Sequence, residues 1–424
     1  MLRHQIPNTW RATTLELHAE VRTGIAKGKK GLTNPVSLPY LRVANVQDGH
    51  LNLSQIKTID VEERDAVRYR LEEGDVLLTE GGDFDKLGRG AVWRGEIPYC
   101  LHQNHVFSVR PNRRELLSEF LAYQAGSAYG KQYFQSCSKQ STNLASINST
   151  QLRQFPLLLP TIAEQRAIVA ILSVWDEAID GLDALIAAKK RYIRGMLASC
   201  VSDARNIAAN DAWNKTTIGD VTTLVQQRVT WDEDATYRLI TVRRGCGGLA
   251  FRGDRKGREI LTKEMYTVRS GDFLISKRQV VHGAWAMVPS DFDGSHVSKE
   301  YACLRAKPDK LWMPYFDWLS RTERLQHEAF ICSYGVDIEK MVLNIDWLLQ
   351  TPLLLPRSID TQKRMATGLD CLHHEIQLLK QQLEAIQKQK RGLMQKLLTG
   401  EWRVPVRDGN VDAMAARVAA EAAQ

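Results

Sequence analysis

The chain has no apolar run approaching the roughly 18 residues that a membrane-crossing helix needs, so no transmembrane segment is expected. Its first ten residues lack the apolar core of a secretion signal. Cysteine is sparse: the seven are Cys100, Cys137, Cys200, Cys246, Cys303, Cys332 and Cys371. They are odd in number, scattered and never spaced Cys-x-x-Cys, which argues against a disulfide framework or a zinc ribbon. The expected reading is buried thiols in a reducing cytoplasm.

Catalytic signatures are missing as well. No GxxxxGK[ST] phosphate loop occurs, and no HExxH. There is no Pro-Pro dipeptide, so the Asn-Pro-Pro-aromatic motif of adenine methyltransferases is absent. Residues 245–250 formally fit GxGxxA, but Phe251-Arg252-Gly253-Asp254-Arg255 does not start a helix, so no dinucleotide site is assigned. His373 and His374 are adjacent on a helical pattern and cannot face one ligand together. No catalytic residue and no metal ligand is assigned, and no cofactor is expected on this chain.

What remains is an ordinary globular balance, 44% hydrophobic and 25% charged, over 424 residues. Two or three domains are expected at this length. Lys+Arg of 57 against Asp+Glu of 49 leaves a net charge of +8, which favours a polyanionic partner.

A long-range repeat organises the chain. Phe155-Pro156-Leu157-Leu158-Leu159-Pro160 is answered by Thr351-Pro352-Leu353-Leu354-Leu355-Pro356. Gln165-Arg166 is answered by Gln362-Lys363, Tyr40 by Tyr237, and Gly74-Asp75 by Gly271-Asp272. Trp10-x-x-Thr13-Thr14-Leu15 matches Trp213-x-x-Thr216-Thr217-Ile218. Matches in one order at nearly one spacing imply two diverged copies of a mixed α/β region, each followed by a long helix.

The helices are the clearest local signal. Ile168, Leu172, Trp175, Ile179, Leu182, Ile186, Lys189, Ile193 and Met196 alternate by four and three. Met365, Leu369, Leu372, Ile376, Leu379, Leu383, Ile386, Lys390, Leu393 and Leu397 do the same. Such alternation is a coiled-coil seam. One lysine interrupts each seam, either setting register or snorkelling to solvent. Strands are expected at 40–46, 76–79, 91–93, 105–109, 239–242, 273–276 and 284–288, and helices at 115–125 and 313–324.

Basic and amide side chains concentrate in glycine-containing loops. One runs over residues 79–90 with Lys86 and Arg89, followed by Gln103 and Asn104. Lys29 and Lys30 add donors, as do Lys139, Gln140 and Asn143. A second group comprises Arg243 and Arg244, then Arg252, Arg255, Lys256 and Arg258, then Lys277, Arg278 and Gln279. Arg and Lys can dock on phosphates or guanine edges, and Gln or Asn on adenine edges. These residues are the candidate DNA-binding set. Solvated turns are the plainer reading, and a coiled-coil adaptor without a DNA role is the alternative function.

With these features the chain resembles the specificity subunit of type I restriction-modification enzymes, over nearly its whole length to about Val404. The resemblance is carried by Leu78-Thr79-Glu80-Gly81-Gly82-Asp83, Asp85-Lys86-Leu87-Gly88-Arg89-Gly90, His102-Gln103-Asn104-His105-Val106-Phe107, Leu144-Ala145-Ser146-Ile147-Asn148, Ile275-Ser276-Lys277-Arg278-Gln279 and Gly392-Leu393-Met394-Gln395-Lys396-Leu397-Leu398-Thr399-Gly400. It implies an α+β fold with target-recognition domains at 1–155 and 206–350. Spacer helices at 156–205 and 351–404 would pair as an antiparallel coiled coil and hold the domains apart; independently of the resemblance, the small, polar composition after Pro405 makes 405–424 an expected poorly ordered tail. The resemblance further implies a non-catalytic, cytoplasmic subunit that reads a bipartite, asymmetric target in double-stranded DNA. Two methyltransferase subunits using S-adenosylmethionine and motor-nuclease subunits using ATP and magnesium would be its partners, with no membrane involved. One departure is Asp360-Thr361-Gln362-Lys363 in place of the usual Glu-Gln-basic start of the second helix, where Asp360 is expected to cap.

Overall fold

In the computed structural model, residues 6–28, 31–82, 87–140, 145–202 and 212–405 are described. The tail expected from 405 onward therefore lies almost wholly outside the described residues. The chain forms two compact units, one of residues 1–183 with 381–424, the other of residues 184–380.

The first unit is built on a four-stranded antiparallel sheet in the order Ala19–Thr23, Val106–Pro111, Val76–Thr79, Gly90–Val92. Val76–Thr79 is apolar without alternation because both its faces are covered. Leu78 faces the core under Phe107, Phe120 and Phe134, while Leu77 faces a second cluster around Trp93. A smaller sheet pairs Val36–Leu41 antiparallel with Lys57–Val61 and parallel with Leu101–His102. Helices Ser118–Gly126 and Ala128–Cys137 close the core.

The second unit repeats this plan. Thr222–Val225, Tyr301–Ala306, Phe273–Ser276 and Trp285–Met287 form the same four-stranded order. Phe273 meets Phe316 edge-on at 4.9 Å, and Leu274 faces the opposite cluster with Ile240 and Val242. Thr236–Val242 pairs antiparallel with Leu249–Lys256 and parallel with His296–Ser298. In both units the proline-flanked segment is a strand. Pro156–Leu159 pairs with Arg11–Thr14, and Pro352–Pro356 pairs with Trp213–Thr217.

Matching side chains hold the matching elements. Gly74 and Gly271 take φ of 89° and 85° in the turn before the central strand, a conformation that favours glycine. The next residue, Asp75 or Asp272, is buried and receives a bidentate arginine. Arg110 donates to Asp75 at 2.7 and 2.9 Å, and Arg305 to Asp272 at the same distances. The hydrogen bond to the carboxylate raises the pKa of both arginines further.

The long helices are Ile162–Ser202 and Ile359–Leu398. No seam residue named above is exposed on either helix. In the first unit the early part of the first helix lies beside the late part of the second, with Lys390 paired to Asp176. In the second unit the order reverses, with Lys189 Nζ 2.8 Å from Glu375. The pairing is antiparallel, and each seam lysine is matched to a carboxylate on the other helix rather than snorkelling to solvent.

Several expected boundaries move. The 40–46 run leaves its strand at Leu41 and turns through Val43–Asn45. The helix expected at 115–125 begins at Ser118. The one expected at 313–324 breaks after Ser320, where Thr322 caps a new helix, Glu323–Ile331. Ser358, not Asp360, caps the second long helix: its Oγ accepts from the Thr361 N–H at 3.4 Å, and Asp360 sits inside the first turn. Thr161 does the same for the first helix through the Glu164 N–H at 3.3 Å. Cys371 is exposed, against the expectation of burial, while Cys100, Cys303 and Cys332 are buried.

Candidate nucleic-acid interface

In the second unit three loops converge at one end of the long hairpin. Residues 243–248 join Thr236–Val242 to Leu249–Lys256. Their backbone docks on residues 277–283, with the Gly245 N–H donating to His282 O at 2.7 Å and the Cys246 N–H to Gly283 O at 2.8 Å. A Cβ on Gly283 would stand 3.2 Å from the Cys246 nitrogen, and its φ is 71°, so this close approach needs glycine. The third loop lies between Ser333–Tyr334 and Val342–Leu343, whose Leu343 N–H donates to Lys277 O at 2.8 Å.

This cluster gathers five of the predicted residues. Arg243 is exposed, and Arg244 donates to Glu339 Oε2 at 2.8 Å. That hydrogen bond and the charge behind it hold the Glu339 carboxyl below its ordinary pKa. His282 Nε2 lies 3.1 Å from Glu339 but off the hydrogen-bonding direction. Arg278 is exposed and donates through Nε to Glu300 Oε2 at 2.5 Å. Lys277 is half-buried, its backbone fixed on both sides. Gln279 turns inward: its Oε1 is buried without a partner among the described residues.

The other four members of the second group do not join this cluster. Residues 252–256 form strand rather than loop. Arg252 is the extra residue of a β-bulge, opposite the step from Leu239 to Ile240, which re-aims it relative to the ladder. Arg255, Lys256 and Arg258 lie toward the far end of the hairpin, about 20 Å away at roughly 3.4 Å per residue. There Arg258 approaches Asp234 at 3.7 Å.

The first unit builds the corresponding cluster. Gly81–Gly82, Ala145–Ser146 and Lys139–Gln140 form a three-stranded patch, which brings the backbone of Lys139 and Gln140 to the residues following the central strand. The His102–His105 turn is clamped beside it. Ile25 N–H donates to His102 O at 2.8 Å, and Asn104 N–H to Ile25 O at 2.9 Å. Gln103 and Asn104 are half-exposed, and Asn104 reaches His105 at 3.3 Å. His102 itself is buried, with Nδ1 2.6 Å from the Val106 carbonyl. Burial lowers its pKa to about 4, so it is neutral. Arg89 is turned aside to Gln47 at 2.8 Å. Lys29, Lys30, Lys86 and Asn143 lie outside the described residues.

Sequence reasoning passed over the acidic and imidazole partners: Glu80, His105, Glu300, Glu339 and His282. Glu80 Oε2 lies 2.6 Å from His105 Nδ1. A usable signal existed, since Glu80 lies 197 residues before Lys277, the offset of the repeat.

Residues 7–188 match the family model of the type I restriction modification DNA specificity domain. Over 220 residues the chain is 26% identical to the putative type I restriction enzyme MjaX specificity subunit of Methanocaldococcus jannaschii, covering 51% of each. Over 165 residues it is 28% identical to the type I restriction enzyme StySPI specificity subunit of Salmonella potsdam, covering 38% of this chain and 35% of that one. The chain thus spans about half the length, or less, of these curated relatives. A solved chain from a type I R-M system is similar over 94% of this chain and 100% of its own, with TM-score 0.59 and 16% identity. The S subunit of a type I restriction-modification system from M. genitalium gives TM-score 0.52 at 15% identity, over 94% and 98%. These structural likenesses show a shared fold.

Proposed function

We propose that the chain is a specificity subunit of the type I restriction-modification kind, whose DNA specificity domain model matches residues 7–188, and that it is the DNA-reading subunit of such a complex. Each unit reads one half of a bipartite, asymmetric sequence in double-stranded DNA. The chain positions two methyltransferase subunits and the motor-nuclease subunits, and catalyses nothing itself. S-adenosylmethionine, ATP and magnesium serve those partners.

One observation carries this reading: the same scaffold is built twice, with loop clusters at matching places but with different side chains. The position after the central strand is Glu80 in one unit and Lys277-Arg278 in the other, while the supporting Asp–Arg pairs are identical. A frame kept constant under loops that differ is what two unlike half-sites require. An adaptor without a DNA role gains nothing from it. Arg243 and Lys277 suit phosphates, which position without specifying sequence, while Arg278 and the amides of Gln103 and Asn104 suit base edges.

Methylome sequencing of a strain carrying the chain with its partner subunits tests this. The expected result is one methylated motif with two unlike halves, lost when this chain is deleted. A motif that survives the deletion would remove the chain from DNA recognition.

A further inference from the structure

The ladder between the central strand and its neighbour ends at equivalent places in the two units. Thr79 pairs with Val106, and Ser276 pairs with Tyr301. One residue beyond, the backbones still touch: Glu80 N–H donates to His105 O at 3.0 Å, and Lys277 N–H to Glu300 O at 2.9 Å. Each unit places one acid–base contact here, with the charges exchanged between strands. In the first unit the acid, Glu80, follows the central strand and the imidazole of His105 comes from the neighbour. In the second the base, Arg278, follows the central strand and Glu300 comes from the neighbour.

The second contact has a specific geometry. Glu300 Oε2 takes the Nε–H of Arg278 at 2.5 Å. Among the described residues no protein group takes either terminal nitrogen, and the Arg278 side chain remains 60% exposed. Its backbone is immobilised, because Lys277 is bonded to Glu300 on one side and Leu343 on the other, and the Gln279 N–H returns to Ser276 O at 3.1 Å. A guanidinium held at Nε offers the edge formed by its two terminal nitrogens, whose parallel N–H groups match O6 and N7 of guanine.

Charge separates this from a phosphate contact. A phosphate anchor works by its net positive charge. Beside Glu300 the pair is neutral overall, so what it supplies is orientation. Nor is stability the reason, since a pair this exposed contributes little.

Resting on the DNA-reading function above, we propose that Arg278 reads a guanine in the half-site of the second unit, and that Glu300 is the positioning residue that orients it. The exchanged pair Glu80–His105 offers different donors and acceptors at the same place, so the first half-site is read differently there.

The test is selection from randomised duplexes by the assembled complex with its methyltransferase subunits, comparing wild type with Arg278→Lys, Glu300→Ala and Glu300→Gln. Wild type is expected to require G at one position of one half-site. Arg278→Lys keeps the charge but loses the planar fork, and Glu300→Ala frees it. Both should weaken the preference for G at that position roughly tenfold or more and leave the other half-site unchanged, and Arg278→Lys should also leave the salt dependence of binding unchanged. Glu300→Gln keeps an acceptor for Nε and should retain the preference. An Arg278→Lys variant with unaltered selectivity would make Arg278 a phosphate contact, because lysine keeps the charge that such a contact needs, and would overturn the proposal. So would a Glu300→Ala variant with unaltered selectivity, or a second half-site without a required G. A wild-type complex that selects no sequence would instead overturn the DNA-reading function itself.

Discussion

Single residues in this chain divide into those that hold the frame and those offered to a partner, and burial tells them apart. Asp75 and Asp272 are almost wholly buried, and each is satisfied by a bidentate arginine. Glu300 and Glu339 are half-exposed, and each ties an arginine that faces solvent. His102 belongs to the frame. Its neighbours include Asp75, Arg22 and Arg110, but burial dominates and keeps it neutral, with a pKa lowered from 6.5 to about 4. Because Val106 offers a carbonyl, the ring nitrogen facing it carries the proton. The unfolded chain then binds a proton more readily than the folded one. The stability His102 contributes is fully present above about pH 6.5 and is lost as pH falls from there toward about 4. Between pH 7 and pH 5 this amounts to at most about 2 kcal/mol. In His102→Gln, urea midpoints at the two pH values should lie closer together than in wild type. An equal acid-induced loss in both proteins would show that His102 is not the group responsible.

At the scale of elements, the repeat is held together by one glutamine in each long helix. Gln165 and Gln362 are both fully buried. Gln165 accepts from the Leu117 N–H at 2.9 Å and donates to Glu115 O at 2.8 Å and Pro160 O at 3.1 Å. Gln362 repeats this with the Trp312 N–H at 2.8 Å, Lys310 O at 3.2 Å and Pro356 O at 2.9 Å. Each therefore ties a long helix to the strand before it and to the chain that leads into the helix closing the core. Replacing either by Ala leaves three backbone groups without their partner. The expected cost is about 2–3 kcal/mol, similar in the two units, measured by denaturant unfolding. A loss below about 1 kcal/mol in both would mean that water restores these bonds and that the glutamines are not the tie. The seams and the apolar central strands were legible in the sequence as patterns in local spacing, and the pairing of Gln165 with Gln362 through the repeat at an offset of 197 residues. The caps were less so. Asp360 is a good capping residue, yet Ser358 takes the role because the helix starts at Ile359, two residues earlier than a cap at Asp360 implies. The contacts Arg278–Glu300 and Arg244–Glu339 were not legible, since they join residues 22 and 95 positions apart through sheet pairing and loop docking. The strand over Leu249–Lys256 was hidden by its three basic residues and two glycine-flanked turns, which read as loop although the ladder with Thr236–Val242 organises them.

For the whole molecule, the two units are best understood as one design used twice. Their four-stranded sheets share an order and their aspartate–arginine pairs share distances. The loops at the ends of the central strands carry different side chains in the two units. It follows that recognition should be separable: the frame of each unit does not depend on which side chains its loops display. The most direct test replaces residues 211–350 with the equivalent region of a relative and sequences the methylome of a strain carrying the chimaera with its partner subunits. One half of the methylated motif should change and the other should stay as in wild type. A chimaera that is active but alters both halves, or neither, would contradict the account that each unit reads its own half-site.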